Sequence, residues 1–156
     1  MSDSGETLAF KARLFAALPS LRHHVAPRME DDQHSFSERL VQITCPNPNI
    51  LEGMSFWMDG GTDPSLQFGR WHTHASLFDG TVEDGWDGVI DFARAILADQ
   101  FVLIREVGAR AEWIRVLDLR EEDALLELLT SKYCCGTVDV ITWSGEGDRR
   151  VGLSDF

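Results

Sequence analysis

Cysteine is scarce in this chain: Cys45 and the adjacent pair Cys134 and Cys135 are its whole complement. An odd count with no metal-type spacing gives no sign of a disulfide framework. Positive charge is also in short supply, with 14 basic residues against 26 acidic ones and a net charge of -12 at pH 7. No Lys/Arg cluster interrupts that surplus, so nucleic acid is excluded as a partner, since a polyanion is repelled over roughly 8 Å at physiological salt. An anionic membrane surface is disfavoured for the same reason. Long apolar runs are missing too. None approaches the roughly 20 residues that span a bilayer, and Met1 to Phe10 lacks the basic start and apolar core of a signal peptide, so a reducing, cytoplasmic setting is expected.

Aromatic and aliphatic residues are well supplied. Apolar residues make up 44% and include five Trp and nine Phe, enough for burial to offset ordering entropy without disulfides or metal. A chain of 156 residues fits one domain, expected here over 1–156, burying roughly two thirds of its unfolded surface. Its acidity would steer a basic protein or a cationic ligand inward.

Along the chain, the segment from Glu6 to Leu18 reads as a helix with Leu8, Ala12 and Phe15 on one face and Leu14 and Leu18 beside it, stopped by Pro19. Ser20 to Ser37 reads as a long exposed connection or a frayed second helix. From Arg39 the pattern turns to short runs, Leu40 to Cys45, Asn49 to Met58 and Ser65 to Ala75, separated by Pro, Asn, Asp and Gly turns. A second helix starts near Thr81, its core stripe carrying Trp86, Val89, Ile90, Phe92, Ala93, Ile96 and Leu97. Phe101 to Val107 and Glu112 to Leu119 suit a hairpin closed by Gly108-Ala109-Arg110. Asp118 suits the cap of a last helix, and Thr137 to Trp143 with Arg149 to Leu153 make a final strand pair. The sum is an α+β fold, with an antiparallel or mixed sheet of about six to seven strands and about three helices, mainly on one face.

The sharpest local feature is Trp71-His72-Thr73-His74. On a strand, His72 and His74 project from one face, and two imidazoles so spaced can converge on a divalent ion if a third ligand arrives. Nucleophile chemistry has little support, because Gly53-Met54-Ser55 is not a nucleophile elbow. Gly60-Gly61 and Gly145-x-Gly147 do not follow a strand and open a helix in phosphate-cradling order. The five tryptophans are candidate anchors, with the exposed set expected at Arg70, Trp71, His72 and His74.

The run Gly69 to His74 followed by Thr81-Val82-Glu83-Asp84 resembles the zinc site of JAMM-type metallopeptidases, with Ala75 in place of that family's proline and Thr81 in place of its serine. The resemblance implies zinc held by His72, His74 and Asp84, with an upstream Glu such as Glu52 as general base for bound water. Thr81 and Asp84 also make a helix capping box that needs no metal. Taken with Leu66-x-Phe68-Gly69 and the intervening helix, Ile141-Thr142-Trp143-Ser144-Gly145 and Asp148-Arg149-Arg150 resemble small acidic bacterial proteins of the toxin-immunity type. That resemblance implies a non-enzymatic protein-binding domain, an inhibitor covering a basic toxin, without a cofactor.

Overall fold

The computed structural model describes residues 3–27, 36–107, 114–131 and 136–156. The chain divides into two compact units, Met1–Thr44 with Glu52–Arg94, and Cys45–Leu51 with Ala95–Phe156. Each carries its own four-stranded antiparallel sheet. The α+β class holds, while the expected single sheet of six to seven strands becomes eight strands in two sheets among the described residues. Strand partners are chosen by long-range packing, which local alternation does not reveal.

In the first unit, helix α1 spans Gly5–Ala17, and the Thr7 N–H donates to the Ser4 hydroxyl at 3.1 Å to cap its start. Its buried stripe is Thr7, Phe10 and Leu14. Of the expected apolar side, Leu14 is buried, whereas Leu8 is 55% exposed and Ala12 is exposed. The side carrying Phe10 turns inward because its ring packs 6.0 Å from Phe56 and edge-on at 5.7 Å against Trp86. Pro19 opens a short 3-10 helix, Pro19–His24, whose Leu21 is buried, and Val25 then bridges to Val41.

The sheet is a meander of β1 (Ser37–Ile43), β2 (Met54–Asp59), β3 (Asp63–Phe68) and β4 (Trp71–His74), in that order. The run from Ser65 onward, expected as one strand, folds back on itself. Gly69 at φ +57° occupies the first place of a two-residue turn that pairs Phe68 with Trp71. Met54, Phe56 and Met58 alternate onto one face with Leu66 and Phe68, all buried. Each such side chain contributes about 1.5 to 3 kcal/mol by leaving water. Helix α2 (Val82–Leu97) supplies buried Trp86, Val89, Ile90 and Ala93 to this unit. Gly85 is required by crowding: a Cβ there would stand 2.4 Å from the Ala75 carbonyl oxygen.

In the second unit the order is β6-β5-β7-β8, from β5 (Phe101–Glu106), β6 (Ile114–Asp118), β7 (Thr137–Ile141) and β8 (Arg149–Gly152). Val102, Ile104, Val138, Val140 and Val151 form its core with Leu129 of helix α3 (Ala124–Thr130). Asp118 does not cap α3. It ends β6, and its carboxylate accepts from the Arg120 N–H at 3.0 Å and from the Arg120 guanidinium, while Asp123 stands at the helix N-cap. The turn at Gly108-Ala109-Arg110, Trp113, and the Cys134 and Cys135 pair lie outside the described residues.

Segment Cys45–Leu51 is tied into this unit by a polar lock. The Asn47 side-chain amide, on a residue only 2% exposed, donates to the Thr142 carbonyl at 2.7 Å and to the Asp148 carboxylate at 2.9 and 3.0 Å. Asp148 also accepts from the Thr142 N–H at 2.7 Å, the Thr142 hydroxyl and the Asn49 amide. Desolvation alone would push the Asp148 carboxyl up, but the bonds from Thr142, Asn47 and Asn49 outweigh it and hold it below the ordinary carboxylate value. No helix among the described residues is long and apolar enough to cross a membrane.

Candidate functional site

Strand alternation gives the first sheet two unlike faces. The face opposite Met54, Phe56 and Met58 displays Arg39, Ser55, Trp57, Asp59, Asp63, Ser65, Gln67, His72 and His74, aligned by register: Ser55 pairs with Gln67 and Gln67 with His72, Trp57 pairs with Ser65 and Ser65 with His74. The two histidines meet there as expected, their rings edge to face with centroids 5.5 Å apart.

His74 is held at its Nδ1, which lies 3.1 Å from a carboxylate oxygen of Asp59 and 3.7 Å from one of Asp63. Asp63 in turn accepts from the Ser76 N–H at 3.0 Å and the Ser76 hydroxyl at 2.7 Å. The Trp57 indole N–H donates to the Ser55 hydroxyl at 2.8 Å, folding the ring back along its own strand. The Arg39 guanidinium stacks over that ring, 4.6 Å from its centroid. At the far end of the face, Gln67 donates from its amide to the Glu52 carboxylate and to the Gly69 carbonyl, both at 3.0 Å.

Of the residues expected to form a binding patch, His72 and His74 are on this face, Arg70 sits exposed in the turn that leads into β4, and Trp71 points the other way. Trp71 is half-buried, with its ring edge-on to Phe92 of α2 at 6.0 Å. The tryptophan on the histidines' face is Trp57, separated from His74 by Ser65 of β3. Its position was readable: Met54, Phe56 and Met58 set the core parity of β2, which leaves Ser55, Trp57 and Asp59 facing outward. Trp86 and Trp143 are buried.

The donor set for zinc is dispersed. Asp84 stands in the first turn of α2, where its carboxylate accepts from the Thr81 N–H at 2.8 Å while its own N–H donates to the Thr81 hydroxyl at 3.2 Å. The backbone bond from Thr81, followed by the side-chain bond, holds the Asp84 carboxyl below its ordinary value. This is the reciprocal capping box. Glu52 reaches Gln67 rather than either imidazole. Among the described residues, no group of three or more His, Cys, Asp or Glu side chains is arranged to hold a metal ion. No protein-family model, curated protein or solved structure matches the chain.

Proposed function

We propose that this chain is a protein-binding domain without catalytic activity of its own, acting in the cytoplasm as an immunity-like inhibitor that covers a basic toxin. The observation that carries this reading is the surplus of carboxylates, 26 acidic residues against 14 basic ones, which accelerates the arrival of a basic partner and disfavours acidic ones. Support comes from the outer face of the first sheet. There the His74 imidazole meets the Asp59 and Asp63 carboxylates and the Trp57 indole donates to the Ser55 hydroxyl, a mix of charged, polar and aromatic groups suited to recognition.

The experiment is direct. The protein encoded by the gene beside this chain's own is mixed with it at equal concentration and followed by analytical ultracentrifugation. A stoichiometric complex that weakens steeply with added salt is expected. A neighbouring product that is neither basic nor bound removes the proposal.

A further inference from the structure

We propose that Asp79-Gly80 is a self-modification site, where the backbone closes to a succinimide and reopens in part as isoaspartate. Asp-Gly is the pair most open to this chemistry, because glycine has no side chain to shield the attacking nitrogen. The chain holds four such pairs, Asp59-Gly60, Asp79-Gly80, Asp84-Gly85 and Asp87-Gly88, and the fold guards the other three. The Gly60 N–H donates to the Phe36 carbonyl at 2.7 Å, and Asp59 lies against His74. The Gly85 N–H donates to the Thr81 carbonyl at 3.2 Å, and Asp84 accepts from the Thr81 N–H. Gly88 lies inside α2, whose ladder takes up its N–H, and Asp87 accepts two bonds from Arg13 at 2.6 and 2.7 Å.

Asp79 and Gly80 have neither guard. Both are exposed, and among the described residues the Asp79 carboxylate meets no donor or cation and the Gly80 N–H no acceptor. The backbone is tied before them by the Phe78 N–H on the Ala75 carbonyl and after them by the Thr81 N–H on Asp84. The pair between can turn the Gly80 nitrogen onto the side-chain carbon of Asp79. A C–N bond forms there, and the hydroxyl of the protonated carboxyl leaves with the amide proton as water. Water then adds to one ring carbonyl. Attack at the former backbone carbonyl breaks its bond to the Gly80 nitrogen, returns a proton to that nitrogen and leaves Asp79 linked through its side chain, with no net change in mass. The new link adds one methylene ahead of Thr81, where Gly80 is already crowded: a Cβ on it would stand 2.5 Å from the Asp84 carboxylate. Isomerisation therefore disturbs the Thr81 and Asp84 capping box and loosens the first turn of α2.

The test is ageing of the full chain, held warm at neutral pH for weeks, then tryptic digestion and electron-transfer fragmentation, with a freshly purified sample digested alongside. Trp71 to Arg94 leaves as one peptide that carries Asp79, Asp84 and Asp87 together. In the folded chain, isoaspartate at Asp79 is expected to exceed that at Asp59, Asp84 or Asp87 by about tenfold or more, because those three must wait for local opening. In guanidinium chloride the four should fall within about threefold of one another. Asp79→Glu, whose longer side chain cannot close the same ring, should abolish the signal, and Asp79→Asn, which sheds ammonia in place of water, should bring it sooner. The Asp84 and Gly85 amides, both bonded to Thr81, should exchange faster in aged protein than in fresh. No isoaspartate at Asp79 in the folded chain, or as much at a guarded site, overturns the proposal. Unchanged exchange at Asp84 and Gly85 in isomerised protein overturns its effect on α2.

Discussion

Asp148 offers the most quantitative check on how the second unit is held. Its carboxylate gathers the Thr142 N–H at 2.7 Å, the Asn47 amide at 2.9 and 3.0 Å, the Thr142 hydroxyl at 3.1 Å and the Asn49 amide at 3.3 Å. A net bond contributes about 1 kcal/mol, and one to a charged group somewhat more, while a buried donor left unpaired costs about 1 to 3 kcal/mol. Asp148 is half-exposed, so water replaces part of what is lost, but Asn47 is 2% exposed and its amide has no such recourse. Asp148→Ala should therefore destabilise by about 2 to 3 kcal/mol in urea unfolding at pH 7. Because the folded carboxyl is held below its ordinary value, its contribution is present above the unfolded pKa of about 3.9 and is lost as pH falls through the lower folded value. The gap between wild type and variant should accordingly narrow on acidification below about pH 4. Hydrogen exchange at the Thr142 amide should speed up in the variant. A cost below about 0.5 kcal/mol with unchanged Thr142 exchange, or a gap that widens with acid, would refute the reasoning.

Three further outcomes follow from the packing and the site. Phe10→Ala removes a fully buried ring packed on Phe56 and Trp86 and is expected to cost about 3 to 5 kcal/mol in chemical denaturation; a cost under about 1 kcal/mol would mean α1 is not docked as described. Gly85→Ala drives a methyl toward the Ala75 carbonyl and should cost about 1 to 3 kcal/mol, so an unchanged melting temperature would contradict that contact. Protein purified without a histidine tag should hold far less than one zinc per chain, and stoichiometric zinc that disappears with His72→Ala would restore the metallopeptidase alternative.

Much of the fold was legible because its elements carry strong local signals. The α2 stripe at Trp86, Val89, Ile90 and Ala93 follows helical spacing and is buried as a set, and Thr81 with Asp84 announces the helix start. What local pattern did not carry is choice among partners. Leu8 and Phe10 both suit a buried helical face, and only the distant Phe56 and Trp86 decide between them. Gly69-Arg70 reads as an interruption of a strand until Phe68 and Trp71 are seen paired across it. Asp118 and Asp123 both suit a helix cap, and the short turn at Arg120 takes the first. At the site, the spacing of the two histidines carries their shared face, whereas strand parity sends Trp71 to the opposite face and leaves Trp57, among the five candidate tryptophans, on theirs. Asp59 and Asp63 carry turn chemistry in the sequence, and their placement against His74 depends on the register of three strands.

Isothermal titration of this chain with the product of its neighbouring gene, at low and at physiological salt, tests the central claim most directly. Saturable one-to-one binding that weakens at the higher salt is the predicted result. Absence of binding, joined to cleavage of a peptide or isopeptide bond by the chain alone, would contradict it.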